Sequence, residues 1–158
     1  MFAKNDETML KHVESYLPDD EEALAYAFGV KQPSMLIIIP LMILGILPGV
    51  IATALLTKNY LIILTRKRFI VLQVNDINTG EIKEVIEYRL DEVTTLKPIT
   101  STGAVFTHIN IKDEARPFVA KFHRSFSKMN RDNAIAISDV ISGRSSVSDL
   151  VRSQPAHV

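Results

Sequence analysis

Cysteine and tryptophan are both absent from the 158 residues of this chain. Without cysteine the chain can form no disulfide, offer no thiol nucleophile and hold no cysteine-ligated zinc or iron–sulfur cluster. Net charge is also absent, because 18 basic side chains balance 18 acidic ones, and this balance argues against a nucleic-acid partner. The length suits one domain with one appendage.

Motifs typical of catalysis are absent as well. The chain contains no GxSxG, HExxH, P-loop or GxGxxG pattern. The histidines are too scattered to predict a metal site, and they are His12, His108, His123 and His157. The densest carboxylates alternate along a strand-like stretch and favour a solvated face, and they are Glu84, Glu87, Asp91 and Glu92. We therefore expect no catalytic residue, no metal, no cofactor and no enzymatic activity.

Acidic residues are missing from one long stretch, which divides the chain into three parts. Residues 1–22 carry seven acids and two lysines, residues 23–75 carry no acid and five bases, and residues 76–158 carry eleven of each. We interpret residues 1–21 as a solvated acidic leader that is partly helical. Residues 22–143 form the domain, with an apolar insert at 34–57, and the Ser-rich residues 144–158 form a flexible tail.

The insert predicts a membrane segment. Residues 32–57 carry no charge, and the 22 residues from Met35 to Leu56 match the roughly 20 apolar residues that a bilayer crossing needs. No polar face would be left for water if the segment were a surface helix. The side chains expected in the membrane are Met35, Leu36, Ile37, Ile38, Leu41, Ile43, Leu44, Ile46, Leu47, Pro48, Gly49, Ile51, Leu55 and Leu56.

Proline and glycine within the insert leave two topologies open. Pro40 interrupts a helical hydrogen-bond ladder, and Pro48-Gly49 is a turn-favouring dipeptide. A kinked single transmembrane helix, followed by a small β domain, would put the two flanks on opposite sides. A hairpin that turns between Gly45 and Gly49 would have arms of about 10–12 residues, or roughly 15–18 Å, and would enter the membrane from one side only.

The residues on both sides of the insert predict strands. Alternating or β-branched runs occur at Ala23 to Val30, Tyr60 to Thr65, Arg68 to Val74, Val85 to Leu90, Val93 to Leu96, Val105 to Ile111 and Phe118 to Phe122. The spacing then changes to a helical one, with Asn130, Ala134, Ile137 and Ile141 on one stripe. Ser127 is the expected N-cap of this helix, and Gly143 the residue after its end.

Two motifs resemble the bacterial pleckstrin-homology-like (bPH) family. The run YLIILTRKRFIVL at Tyr60 to Leu72 is similar to that family's paired strands, and YRLDEVTTL at Tyr88 to Leu96 is similar to its strand–turn–strand. The resemblance covers residues 22–143 and departs at Lys67, where asparagine is frequent. It implies a mainly β fold, a PH-like seven-strand barrel or sandwich capped by a C-terminal α-helix, with the insert as a membrane-inserted helical hairpin. If the first two strands share a sheet, the hairpin is required.

Two groups of basic side chains have different expected roles. Lys31 and Lys58 bracket the insert, and Lys112 and Arg116 lie in a strand connection that the resembled fold brings to the same end, so we expect headgroup contact from these four. A turn formed by Arg66, Lys67 and Arg68 would lie roughly 23 Å from the membrane along the strand. That turn is either a solvated hairpin or a contact for a partner.

These expectations combine into two functional hypotheses. The first is a membrane-anchored, non-catalytic binding or scaffolding module on the cytoplasmic face, whose partners are the lipid bilayer and a membrane or cytoplasmic protein. The resemblance also implies homo-oligomers. The second is an accessory structural subunit of a larger membrane protein complex. It depends on small residues that let helices approach closely, namely Gly45, Gly49, Ala52 and Ala54.

Overall fold

Seven antiparallel strands form one sheet in the order β4-β3-β2-β1-β7-β6-β5. The structure is a computed structural model that describes residues 2–154. The strands are β1 (Ala23–Lys31), β2 (Lys58–Thr65), β3 (Arg68–Val74), β4 (Ile82–Arg89), β5 (Ile99–Thr102), β6 (Phe106–Ile111) and β7 (Phe118–His123). The helices are α1 (Phe2–Tyr16), α2 (Met35–Ile43), α3 (Ile46–Leu56), α4 (Leu90–Thr95), α5 (Asn130–Ile141) and α6 (Val147–Ser153). The mainly β fold with C-terminal helices is therefore confirmed.

The sheet bends so that its two halves enclose the main core. Side chains from β1–β4 meet side chains from β6 and β7, and α5 packs against both. Phe118 illustrates this contact, because its ring lies edge-on to Tyr60 at 5.1 Å and to Phe69 at 6.3 Å between ring centroids. Strand β1 connects the two halves of the sheet. It pairs with β2 along its length and with β7 where Val30 lies opposite Lys121.

The N-terminal segment forms a second layer on the outer face of β2 and β3. Met9, Val13 and Leu17 recur at helical spacing and are buried against a cluster that includes Leu61 and Ile70. The prediction of a helix in the acidic leader is confirmed, but its interpretation as a solvated arm is wrong. Glu7 and Glu14 of α1 are exposed, whereas Met9 and Val13 belong to an apolar stripe that covers the sheet.

The segment after β4 is a helix, and the prediction of a strand at Val93 to Leu96 is wrong. Asp91 and Glu92 occupy the first turn of α4, where carboxylates interact favourably with the helix dipole. The Glu92 carboxylate accepts a hydrogen bond from the Arg89 amide, and Val93 is buried in the main core. The fifth strand instead runs from Ile99 to Thr102.

The C-terminal helix follows the predicted stripe. Ala134, Ile137 and Ile141 of α5 are buried in the main core, and Gly143 has a φ of 77°, as a residue after a helix end often does. Ser127 does not cap α5, which begins at Asn130 after Met129.

The expected flexible tail contains a further helix. Ser146 caps α6 by accepting a hydrogen bond from the Asp149 amide, and Val147 and Leu150 pack against the main core. The prediction of flexibility is therefore wrong for residues 147–153. Residues 155–158 of the predicted tail lie outside the described residues.

Candidate functional site

The insert is a helical hairpin that projects from one end of the β1–β2 pair. The register of β1 and β2 runs from Ala23 opposite Thr65 to Lys31 opposite Lys58, so both strands lie on the same side of the insert. The alternative of a single transmembrane helix is therefore wrong, because it would separate two paired strands. We call the Lys31–Lys58 pair, from which the hairpin emerges, the neck.

The hairpin turns at Gly45, shortly before Pro48, the second proline of the insert. Gly45 has a φ of 149°, a conformation that residues with a side chain rarely adopt. Pro48 lies in the first turn of α3, where a backbone N–H has no helical partner, so the helix loses no hydrogen bond there. Ser34 starts α2 by accepting a hydrogen bond from the Leu36 amide.

Most apolar side chains of the hairpin are exposed. Leu36 is 83% exposed and Leu55 is 80% exposed, and neither core cluster contains a residue of α2 or α3. Of the side chains expected in the membrane, the exposed ones are Met35, Leu36, Ile37, Ile43, Leu44, Ile46, Leu47, Pro48, Ile51, Leu55 and Leu56; Ile38 and Leu41 are half-buried, and Gly49 is buried. In proteins generally, contiguous exposed apolar surfaces are found where a membrane or another protein is bound.

The polar groups of α3 are satisfied within the helix. The Thr53 hydroxyl donates to the Gly49 carbonyl at 2.8 Å, and the Thr57 hydroxyl donates to the Thr53 carbonyl at 2.6 Å. Because these hydroxyls already have acceptors in the helix, they lower the cost of placing the hairpin in an apolar environment.

The hairpin arms are short compared with a bilayer. The 9 residues of α2 and the 11 residues of α3 extend about 14 and 17 Å at 1.5 Å per residue. Of the helices in residues 2–154, none is both long and apolar enough to cross a membrane.

Three of the four lysines and arginines expected at headgroups remain exposed. Lys31 and Lys58 lie directly at the neck, opposite one another in the register. Lys112 is exposed at the end of β6. Lys121, which the sequence analysis overlooked, is held next to the neck because it pairs with Val30. The signal for Lys121 is long-range strand pairing, and no local pattern reveals it.

Arg116 contacts residues of β4 and α4, at the end of the β1–β4 half of the sheet that lies far from the neck. Its guanidinium donates to the Glu87 carbonyl at 2.7 Å, forms ion pairs with Glu92 and Asp113, and lies over the Tyr88 ring. Tyr88 lies opposite Phe69, and Phe69 lies opposite Leu64, six residues or about 20 Å along β2 from the neck. Arg116 is therefore engaged within the chain, and its headgroup contact stays a prediction.

In the basic turn between β2 and β3, Arg68 and Lys67 contact acidic side chains of the same chain. Arg68 holds Glu21 through its Nε and Nη2 at 3.0 and 2.8 Å, and Glu87 through Nη1 at 2.7 Å. Lys67 lies 3.8 Å from Asp20, with both side chains exposed, and Arg66 is exposed. Arg68 is thus not free for the expected partner contact, whereas Arg66 and Lys67 lie at the surface.

This cluster also changes the acidity of its members. Hydrogen bonds from Arg68 hold the pKa of Glu21 below its usual value. Burial, together with a 2.7 Å hydrogen bond from its hydroxyl to Glu87, raises the pKa of Tyr16 to about 12. The Thr65 hydroxyl donates to Glu21 at 2.6 Å, so the cluster joins the end of α1, the start of β1 and the β2–β3 turn.

Comparison with known proteins shows a distant structural similarity. No protein-family model matches the chain, and no curated protein matches it. Among solved structures, the chain is similar to the hSac2 domain from human phosphoinositide phosphatase Sac2. That likeness has a TM-score of 0.43 and 12% sequence identity, and covers 86% of this chain and 78% of that chain.

Proposed function

We propose that the α2–α3 hairpin inserts into one leaflet of a bilayer and anchors the β domain as a non-catalytic binding or scaffolding module on the cytoplasmic face. The observation that carries this proposal is the exposed, uncharged hairpin, which lies outside both cores. The arms extend about 14 and 17 Å, close to half of the roughly 30 Å of hydrocarbon.

The architecture of the domain supports the finer proposal of a PH-like fold. The strand order, the bent seven-stranded sheet and a helix packed against its core agree with the fold that the motifs at Tyr60 to Leu72 and Tyr88 to Leu96 resemble. In such a scaffold the hairpin is an insertion between the first two strands. The surface for a protein partner would then lie on the domain, away from the neck, where Arg66 and Lys67 are exposed.

The second candidate is an accessory subunit whose hairpin packs against other membrane helices. It draws on the small residues of the hairpin, but Gly49 is buried inside the hairpin itself. Ala54 is exposed, and Gly45 and Ala52 are half-buried, so these three remain for a neighbouring helix. Only these small residues favour the second candidate over the first.

The strand pairing at the neck allows the whole hairpin to be deleted without disturbing β1 or β2. Because Lys31 and Lys58 are directly opposed, residues 32–57 can be replaced by Asn-Gly, which closes a two-residue β-hairpin. We expect this variant to be folded and monomeric in solution, with the β circular dichroism of the parent, and to lose flotation with phosphatidylcholine vesicles. A folded variant that still floats with vesicles would contradict the hairpin as the anchor.

A depth measurement separates the two candidates. The chain has no cysteine, so Leu47→Cys near the turn and Leu36→Cys near the neck can each carry one fluorophore. In vesicles with quenchers at known depths in the acyl chains, an anchor predicts deeper quenching at position 47 than at position 36. A monomer with this pattern contradicts the accessory subunit, whereas shielding of position 47 within a stable complex contradicts the free anchor.

A further inference from the structure

Lys121 adds a basic side chain on one side of the neck, toward β7. Val30 directly precedes Lys31 and pairs with Lys121 of β7, which in turn pairs with His108 of β6. Neighbouring strands lie about 4.8 Å apart, so the backbones of Lys121 and His108 are about 5 and 10 Å from Val30. Lys31 and Lys58 complete this group at the neck.

The three lysines of this group have no acidic partner in the described part of the chain. The salt bridges there involve none of Lys31, Lys58 and Lys121. The Lys121 ammonium lies 6.0 Å from the centroid of the Phe106 ring, and no Asp or Glu occurs in β5, β6 or β7. The strands on this side therefore carry Lys121 and no acidic side chain. In the β6–β7 connection, Asp113 pairs with Arg116, while Lys112 and Glu114 are exposed.

The opposite side of the neck carries acidic side chains. The side-chain amide of Asn59, one residue after Lys58, donates to the Asn75 carbonyl at 2.9 Å. This hydrogen bond connects the β3–β4 turn to the start of β2. Asp76 and Glu81 lie in this turn and are exposed. The strand side chain nearest the neck toward β7 is thus basic, whereas the β3–β4 turn on the other side carries acids.

The outer face of β7 is open to solvent. Helix α1 covers the outer face of β2 and β3, whereas Val119 on the outer face of β7 is 38% exposed. Val119 and Lys121 alternate with Phe118, Ala120 and Phe122, which lie in the core. An exposed valine beside a lysine is a combination that suits the interface between headgroups and acyl chains.

We propose that Lys121 on the outer surface of β7 and Lys31 at the neck both contact anionic phospholipid headgroups. These contacts would tilt the domain toward β7 and hold the β3–β4 turn away from the bilayer. This inference depends on the proposed anchoring, because the hairpin brings the neck to the bilayer. At physiological salt the attraction extends over a Debye length of about 8 Å, comparable to the distance between the neck and these side chains. The acidic turn is repelled by the same surface, so both sides favour one orientation.

Two single-cysteine positions test this orientation in the full chain. His108→Cys reports on the β7 side, and Thr79→Cys, at an exposed residue, reports on the β3–β4 turn. Each fluorophore is measured in vesicles with a quencher on the headgroup, made either of phosphatidylcholine alone or with phosphatidylglycerol. We expect stronger quenching at position 108 than at position 79 in the anionic vesicles, and loss of this difference in 1 M salt, where the Debye length falls to about 3 Å.

A matched pair of double variants tests the residues. Lys31→Gln/Lys121→Gln should abolish the difference between positions 108 and 79. Lys67→Gln/Arg152→Gln removes the same charge and should keep it, since Lys67 lies at the β2–β3 turn and Arg152 in α6. Equal quenching at both positions while the protein floats with vesicles would overturn this inference and leave the anchor standing. Absence of flotation from both vesicle types would overturn the proposed anchor itself.

Discussion

Gly49 of α3 lies directly against Met42 of α2, and this contact sets how closely the hairpin arms approach. A Cβ atom at position 49 would stand 2.6 Å from Met42 Cγ and 3.2 Å from Met42 Cα. Because the second atom belongs to the backbone, a side chain there cannot be accommodated by a rotamer change alone. The only buried residue in either hairpin helix is therefore a glycine for a steric reason.

Gly49→Val should separate the arms of the hairpin. We expect the distance between spin labels at Leu36→Cys and Leu55→Cys to increase, because the valine side chain displaces Met42 and the backbone of α2. The matched control is Ala54→Val, at an exposed position of α3, which should leave the distance unchanged. An unchanged distance in Gly49→Val would show that the arms are not in contact at this point.

Helix α1 should contribute strongly to stability. Met9 is 0% exposed and Leu10, beside it, is 39% exposed. Met9→Ala should lower the free energy of unfolding by about 2–4 kcal/mol, since it leaves a cavity above β2 and β3. Leu10→Ala should change it by less than about 1 kcal/mol. Chemical denaturation followed by circular dichroism measures both, and equal effects would mean that α1 does not form the second layer.

The elements that the sequence predicts well are those with a local repeat. The bounds of β3 are those of the predicted run, Arg68 to Val74, and the α5 stripe and Gly143 lie where expected. The layer formed by α1 also has a signal, because LIIL and FIVL are continuous apolar runs, which are typical of strands buried on both faces. That signal predicts that some element covers the outer face of β2 and β3, but it does not identify the segment that does so.

The features that the sequence does not predict depend on contacts between distant residues or on very short elements. α4 has only six residues, fewer than two helical turns, and its β-branched Val93, Thr94 and Thr95 favour a strand by local propensity. Arg68 meets Glu21 from 47 positions away, and Arg116 meets Glu92 from 24. No local pattern distinguishes such an arginine from one that faces a lipid or a partner, so the sequence alone predicts that both lie at the surface.

Asn130 should be a further determinant of stability. Its side chain accepts from the Phe28 amide at 2.7 Å and donates to the Phe28 and His123 carbonyls at 3.0 and 2.9 Å. These bonds join α5 to the stretch of β1 that precedes its pairing with β7. Asn130→Ala leaves buried backbone groups without partners and should cost about 2–4 kcal/mol.

The matched control for this prediction is Asn133→Ala. Asn133 is half-buried and donates one hydrogen bond, to the Tyr26 carbonyl at 2.9 Å, so its loss should cost about 1 kcal/mol. Urea denaturation of the two variants measures the difference. A smaller loss for Asn130→Ala than for Asn133→Ala would contradict the bridging role of Asn130.

Acid should weaken the cluster around Arg68. Arg68 holds the pKa of Glu21 below its usual value, so the folded state favours the carboxylate. The stabilisation is fully present above the unfolded pKa of about 4.3 and is lost as the pH falls through the lower, folded pKa. Glu21→Gln should lower the free energy of unfolding at pH 7 by about 2 kcal/mol, and the difference from the parent should shrink toward pH 3.

Asp20→Asn provides the control for Glu21→Gln. It removes the same charge at the neighbouring position, but Asp20 is exposed and its distance to Lys67 is 3.8 Å, so we expect less than about 0.5 kcal/mol at pH 7. Thermal melts between pH 3 and pH 7 compare the three proteins. A difference between the parent and Glu21→Gln that stays constant over this range would exclude the Glu21 carboxylate as the acid-sensitive group.

The orientation of the domain relative to the cell can be tested by single-cysteine labelling. Asp19→Cys and Ser153→Cys, both at exposed residues, report on the N-terminal and C-terminal sides of the insert. Basic residues flank the hairpin at Lys31 and Lys58, and basic flanks favour the cytoplasmic side. We expect neither cysteine to react with a membrane-impermeant thiol reagent in intact cells, and both to react after lysis. Reaction of both in intact cells would place the domain outside, and reaction of only one would contradict the pairing of β1 with β2.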